Sequence, residues 1–428
     1  MSPSLRRARP ESPPAPPLSA VARRLLLATF VASLGNGLVL PFLVVYLSQV
    51  RGMSTAIGGL VIAWSALLGL TLTPLGGWLI DRVGPRPVLL VGLGFEALAS
   101  ASWAFVHEPW QAFAVASSLA LGGAGVWAAA STFLSRSVAE EQRQRAFGLN
   151  FLLVNLGIAV GGLVSGLIID VSRPTTFEAL YVADGVFVLL GLGVVASMRG
   201  LGGPVPQTGG DEEEDGGYRE ILRDRALMRL VGVAVVLLTC GYGALEVGFP
   251  VFATTQADLS VRLVAFGFVG NTVAIVLGQM YVIRLIAGRS RSHLIAVVGL
   301  VWALAWLLLS LSVPLSGGAA AVVALSAPIV FAVGETIWQP VVPTLINDLA
   351  PERLRGRYNA IGSLSWNVAG TLGPAMTGIL LGADLAGVWV AVVVGGCLLA
   401  AGAALRLRHV LTPLQDGRVP IVVAEVGG

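Results

Sequence analysis

Apolar runs of about twenty residues, separated by short polar turns, fill the chain from residue 25 to residue 405. The runs are apolar on every face. Strands of a β-barrel would instead alternate polar and apolar positions over about ten residues, so the pattern predicts helices lying in hydrocarbon. Twelve spans follow, at 25–47, 56–80, 88–106, 110–135, 147–169, 178–197, 227–252, 262–286, 294–313, 319–346, 358–382 and 386–405. One long interior stretch, from Arg199 to Arg229, is polar enough for water: Gly202, Gly203 and Pro204, then Asp211, Glu212, Glu213, Glu214 and Asp215, then Gly216 and Gly217. It divides the spans six and six.

The two halves repeat. A shift of 212 residues lays the fifth span on the eleventh and pairs Glu140 with Glu352, Arg143 with Arg355, Arg145 with Arg357, Asn155 with Asn367, Gly161 with Gly373 and Gly166 with Gly378. A shift of 209 sets Pro41-Phe42 of the first span on Pro250-Val251 of the seventh. The expected organisation is a disordered leader at 1–20, a six-helix half at 21–198, a linker at 199–225, a second six-helix half at 226–408 and a tail at 409–428. Two six-helix halves with a site between them near the midplane is a recurring transporter plan.

Composition excludes a soluble fold. Hydrophobic residues make up 55% of the 428 and charged residues 12%, where soluble domains carry about 25% charged. All 27 basic residues are arginine, spread among short loops and gathered in no single patch, so no nucleic-acid partner is expected. If both termini face the cytoplasm, only Arg51, Arg173 and Arg262 lie outside and the other 24 of the 27 lie inside, the bias of an inner-membrane protein. Cys240 and Cys397 fall within spans and make neither a disulfide framework nor a metal site. No cofactor is expected, and no nucleophile or acid–base pair suggests an enzyme.

Between the second and third spans stands Gly76-Gly77-Trp78-Leu79-Ile80-Asp81-Arg82-Val83-Gly84-Pro85-Arg86-Pro87. It resembles the hallmark loop of the major facilitator superfamily, Gly-x-Leu-x-Asp-Arg-x-Gly followed by basic residues, through Gly77, Leu79, Asp81, Arg82, Gly84 and Arg86. The resemblance runs from about residue 22 to residue 408. With His107-Glu108-Pro109-Trp110 and the helix from Asn155 to Gly166, it looks most like the twelve-helix drug:proton antiporter branch. It implies an all-α membrane fold, a monomer, and a cytoplasmic latch at Gly77, Asp81, Arg82, Gly84 and Arg86 that holds the outward-facing state. It also implies a Gly-Pro pair in the fifth span and an arginine in the fourth. Here the pair reads Gly161-Gly162, and Leu119 stands near the arginine's position in a segment without basic residues.

Small residues recur every fourth position in the fifth span, as Gly157, Gly161 and Ser165 beside Gly162 and Gly166. The eleventh span repeats them as Ala369, Gly373 and Thr377 beside Gly370, Pro374 and Gly378. Both series suit close helix packing. Three carboxylates are read within the spans, Glu96, Glu246 and Glu335, each costing on the order of 3 kcal/mol to hold charged at mid-bilayer. They are the candidates for proton or cation coupling, Glu246 first because it lies one turn before Pro250. Asn36, Tyr242, Asn271, Gln279, Trp338 and Gln339 are candidate cavity residues, their amides and aromatic faces suited to a small organic cation. Trp78, Trp103 and Trp110 are expected at the membrane interface. Residues 218–229 suit an amphipathic helix on anionic lipid.

The function implied is secondary transport by alternating access, as proton-coupled efflux of lipophilic or cationic small molecules. A facilitator, importer or exporter of one specific metabolite without proton antiport fits the missing arginine. A transport-inactive sensor or scaffold lacks a large soluble domain to serve it.

Overall fold

The computed structural model describes residues 17–39, 43, 46–170, 172–203 and 217–418. The Pro41-Phe42 echo, the acidic block of the linker, most of the leader and the last ten residues lie outside the described residues. Among the described residues there is no strand, and twelve helices of 18 residues or more follow one another. They are α1 (Ala20–Val39), α2 (Thr55–Val83), α3 (Pro85–Ser102), α4 (Pro109–Arg136), α5 (Glu140–Ile168) and α6 (Pro174–Ala196), then α7 (Arg225–Thr255), α8 (Val261–Ile286), α9 (Arg291–Leu311), α10 (Gly317–Leu349), α11 (Arg355–Gly382) and α12 (Ala386–Leu407).

Ten of these are long and apolar enough to cross a membrane by their described residues; α1, described as far as Val39, and α11 are long enough but less apolar. Each expected span coincides with a helix, but several helices run past the apolar segment. α5 begins at Glu140, seven residues before its apolar run, because Arg143 is buried in ion pairs that make a polar first turn stable.

Packing separates the first six helices from the last six. One buried cluster draws only on residues between Ile221 and Leu411, and two others draw on residues between Leu18 and Met198 together with Ala360. Outward positions stay apolar, as at Leu167, Leu277 and Leu399, which makes a surface for lipid chains rather than water. The groups meet where α2 packs on α11, α4 on α10 and α11, and α5 on α8 and α10.

One expectation for the polar segments is corrected. Residues 218–229 do not lie free on a lipid surface: Ile221 is fully buried, the Tyr218 hydroxyl donates to the Pro74 carbonyl of α2, and Glu220 pairs with Arg353 at 2.8 Å. The first part of the tail, through Arg418, is docked as well. Asp416 is fully buried, accepting from the Ser292 amide at 2.8 Å and the Ser290 hydroxyl at 3.0 Å, and so closes the N-terminus of α9.

Candidate functional site

Within α7 the helix widens to a π-helix over Thr239–Gly248. Pro250 has no N–H to offer the Glu246 carbonyl four residues earlier, and Gly241, Gly243 and Gly248 let the looser turn form. The widened turn carries both Tyr242 and Glu246. The Tyr242 ring is enclosed by Trp302 at 5.4 Å, Phe331 at 5.6 Å and Trp366 at 4.6 Å, from α9, α10 and α11. Its hydroxyl accepts from Gln339 at 3.4 Å and lies near the Glu335 carboxyl group of α10.

Glu335 is the centre of this cluster. Only 4% of it is exposed, and it accepts from the Asn271 amide of α8 at 2.5 Å, itself held by the Pro328 carbonyl at 3.0 Å. Among the described residues no ion pair reaches Glu335. A neutral amide donor, a phenol and an aromatic wall therefore surround a carboxyl group without a counter-charge. Chemistry able to satisfy such a group is a proton or an organic cation. Glu246 is exposed on the same widened turn as Tyr242.

The other cavity candidates scatter. Asn36 is exposed on α1. Gln279, fully buried, donates to the Thr336 carbonyl at 3.1 Å and lies against Gly148 of α5, two turns along α8 from Asn271. Trp338 is a core residue packed on Trp302. Trp103 is corrected from interface anchor to core: it is 3% exposed and lies against Tyr181, whereas Trp110 is exposed as expected.

The loop motif makes a second assembly, on the side of the bundle where the described residues begin near Ser19 and end near Arg418. Asp81 Oδ1 accepts from the Gly356 amide at 2.6 Å and Oδ2 from the Arg357 amide at 3.1 Å. These N–H groups belong to the first turn of α11, where the helix offers them no carbonyl four residues back, and the Arg357 guanidinium stands 3.5 Å from Asp81. Gly77 permits the approach, since a Cβ there would lie 3.1 Å from Arg357 Cα and hard against Ala360. Gly84 has φ +89°, and a side chain would strike the Gly202-Gly203 backbone. The two arginines do not join the crossing. Arg82 stacks on Trp78 at 5.2 Å, and Arg86 donates to the Val195 and Ala196 carbonyls, closing the C-terminus of α6.

Further contacts tie the groups together at the same level. Asn359 of α11 accepts from Ser131 at 2.8 Å and donates to Thr132 at 3.1 Å and Asn347 at 2.9 Å. Arg136 pairs with Glu352 at 2.7 Å, and Arg143 pairs with Asp348. The repeat relates these two pairs only in part: the 212-residue shift carries Arg136 to Asp348, but Arg143 to Arg355 and Glu352 back to Glu140. The ends of α4 and α10 thus each reach an ionic partner at or just before the start of a helix of the opposite group.

Only one of the two small-residue faces packs. A Cβ at Gly161 would collide with the Leu34 carbonyl and lie 3.0 Å from Gly37, and one at Gly157 would lie 2.7 Å from Ser33. Gly162 meets only an ordinary contact at 3.7 Å, and Gly166 meets nothing. The second group repeats this, with Gly373 tight against Gly243 while Gly378, on the face of Pro374, is open. Gly161→Val is therefore expected to cost about 2 kcal/mol or more and to lower the thermal unfolding midpoint in detergent by several degrees. Gly166→Val should leave it unchanged; equal midpoints for the two variants would contradict this assignment of faces.

The spans hold a fourth carboxylate, so the count of three is corrected. Asp184 of α6 is 1% exposed, and it lies close enough to Glu96 of α3 for their charges to interact. The signal was available, an acid inside an apolar run between Ala183 and Gly185.

Apolar helices with paired acids and amides inside and an ion-paired seam at one end define a polytopic membrane transporter. The sequence model of the Major Facilitator Superfamily matches residues 25–374, and the chain belongs to that family. Among curated relatives, the uncharacterized MFS-type transporter YttB of Bacillus subtilis is 24% identical over 369 residues, covering 83% of this chain and 87% of the relative. The quinolone resistance protein NorA of Staphylococcus aureus is 23% identical over 362 residues, covering 82% and 87%. A solved bacterial homologue of the iron transporter ferroportin, in its outward-facing state, superposes with a TM-score of 0.70 at 16% identity, covering 90% of this chain and 99% of its own. That likeness concerns the fold.

Proposed function

We propose that the protein is a monomeric inner-membrane exporter of lipophilic or cationic small molecules, driven by inward proton flow. The observation that carries this reading is Glu335, buried with Asn271 and Tyr242 and left without a counter-charge inside an aromatic wall. A proton and a cationic substrate compete for such a group, and that competition is antiport. The similarity to a quinolone resistance protein supports the choice of substrate class.

The halves, 21–198 and 226–408, rock about this site, and the linker at 199–225 joins them. Both termini are cytoplasmic in this reading, from the arginine bias. The Asp81–α11 contact, with the Asn359 and Arg136 contacts beside it, is then the closed cytoplasmic latch of an outward-facing state. Glu246, exposed beside Tyr242, is the relay between Glu335 and the outer solution.

A second reading, uniport of one metabolite, is favoured by Leu119 and the absence of any basic residue from Ser117 to Ala130. Liposomes holding the protein in inside-out orientation, with an acidic lumen, distinguish the two. Antiport predicts that tetraphenylphosphonium or ethidium accumulates in the lumen several-fold above equilibrium and leaks out when nigericin collapses the gradient. Equilibration without accumulation, unaffected by nigericin, would establish the uniport reading instead.

A further inference from the structure

The docked tail reaches the seam between the two groups of helices through one side chain. Asp416 accepts from the Ser292 amide at 2.8 Å, and its own carbonyl accepts from the Arg291 amide at 2.9 Å. The turn that presents Asp416 closes on itself. The Thr412 amide donates to the Gln415 side chain at 3.0 Å and the Gln415 amide to the Thr412 hydroxyl at 3.2 Å. Gly417 has φ +70°, and a Cβ there would lie 3.1 Å from the Arg289 carbonyl oxygen. Residues 412–418 therefore form a folded plug at the start of α9.

Arg291 is held by this plug and extends beyond it. Its guanidinium donates to the Gln415 carbonyl at 2.9 Å and, from the same nitrogen, to Asp348 Oδ2 of α10 at 2.6 Å. The other oxygen of Asp348 binds Arg143 of α5, in the opposite group. Tail and opposite group are thus joined by direct contacts through Gln415, Arg291, Asp348 and Arg143. Only 11% of the Arg291 side chain and 13% of the Asp348 side chain are exposed, so these partners, more than water, orient the carboxylate. A small cavity lined by Glu140, Arg291, Asp348, Thr412, Leu414 and Gln415 lies between the tail and the start of α5. The influence of the tail on α5 passes through Arg291 and Asp348.

The first group shows what is particular to this arrangement. Arg86, at the start of α3 as Arg291 is at the start of α9, donates its amide to the Gly202 carbonyl at 3.1 Å and its guanidinium to carbonyls at the end of α6. Each group therefore docks the chain that follows its sixth helix. At the place of Asp348, however, the 212-residue shift puts Arg136. The second group alone joins that docking to a carboxylate shared across the seam.

We propose that the tail is a clasp on the seam and that Arg291 is its positioning residue. Docked, the tail fixes Arg291, Arg291 turns Asp348 toward Arg143, and this side of the bundle stays closed. Undocked, it releases Arg291, and the closure weakens. The inference rests on the transport reading only in that the two groups part at this seam. Substrate and proton coupling do not enter, so a flux measurement that contradicts antiport would leave the distances below as predicted.

The test uses the full chain in lipid nanodiscs. Spin-labelled cysteines are placed at Glu141 and Arg284, both exposed, near where Gly148 of α5 lies against Ile283 of α8, after Cys240 and Cys397 are replaced. Asp416→Arg sets a cation against the positive start of α9 and beside Arg291, which expels the tail. Faster hydrogen exchange at the Arg291 and Ser292 amides reports the expulsion. The ratio of the longer to the shorter distance component should then rise by about tenfold over wild type. Arg291→Gln, which leaves Asp416 on the Ser292 amide, should raise it similarly, and it decides the matter if Asp416→Arg does not fold.

In an Asp348→Asn background, Asp416→Arg should add nothing further, because the route is already cut. A tail that only stabilises the fold would add its effect in either background. The proposal is overturned by an unchanged ratio in Asp416→Arg when the two amides exchange fast, by an unchanged ratio in Arg291→Gln, or by an equal rise in both backgrounds.

Discussion

Asp81→Asn is expected to lower the transport rate by roughly tenfold or more and to open the side of the protein that bears the termini. The carboxylate accepts two hydrogen bonds from amides at the first turn of α11 and sits 3.5 Å from Arg357. Hydrogen bonds to a charged group contribute about 1.5–3 kcal/mol each. An asparagine keeps one acceptor, loses the charge that complements the helix terminus, and turns an NH2 toward backbone N–H groups. A loss of about 3 kcal/mol from the closed arrangement shifts the population between states by roughly a hundredfold.

Spin labels report the shift directly. Cysteines at Glu141 and Arg289, both exposed and on opposite groups, are introduced after Cys240 and Cys397 are replaced. In the wild type the distance distribution should be dominated by one short component. In Asp81→Asn a longer component should take over, while Arg82→Ala should change little because Arg82 stacks on Trp78 within its own helix. Equal distributions for wild type and Asp81→Asn would show that the remaining contacts, Asn359 and the two ion pairs, close this side without Asp81.

The second large effect is expected at Glu335. Glu335→Gln preserves the shape, and the new amide oxygen can still accept from Asn271. Folding should therefore survive, with the thermal midpoint changed by a few degrees at most. What is lost is a group that alternates between charged and neutral, so substrate movement can no longer be linked to proton movement. Accumulation driven by the pH gradient should fall by roughly tenfold or more, whereas passive exchange of labelled for unlabelled cation continues. Glu335→Asp, with a shorter reach to Asn271, should restore part of the coupling.

Much of this architecture is legible in the chain. Apolar runs located the long helices of the described residues, because in hydrocarbon a helix satisfies its own backbone. The spacing of Gly77, Asp81 and Gly84 located the seam, since a tight approach, an acid and a turn each demand their own residue type. Arg86 was assigned to the same seam, but its partners are carbonyls at the end of α6, which no local pattern reveals.

The candidate site was legible in its members more than in its grouping. Glu335, Asn271, Tyr242 and Gln339 come together, whereas Gln279 and Trp338 lie at similar depths but face other helices. Which side of a uniformly apolar helix turns inward depends on its neighbours, and hydropathy carries no periodicity there to read. The π-helix that places Tyr242 and Glu246 follows from Pro250 only once the carbonyl it leaves unpaired is followed along the backbone. The docked tail depends on Asp416 finding the start of α9, more than a hundred residues away in sequence.

The most direct measurement of the central claim records lumenal pH and tetraphenylphosphonium flux together, in the same acid-loaded, inside-out liposomes, for wild type and Glu335→Gln. The account predicts that adding the cation to wild type makes the lumen more alkaline as the cation accumulates. It predicts that in Glu335→Gln the lumenal pH stays where it was while the cation merely equilibrates. Cation flux through the wild type with no proton movement, or proton movement undiminished in Glu335→Gln, would contradict it.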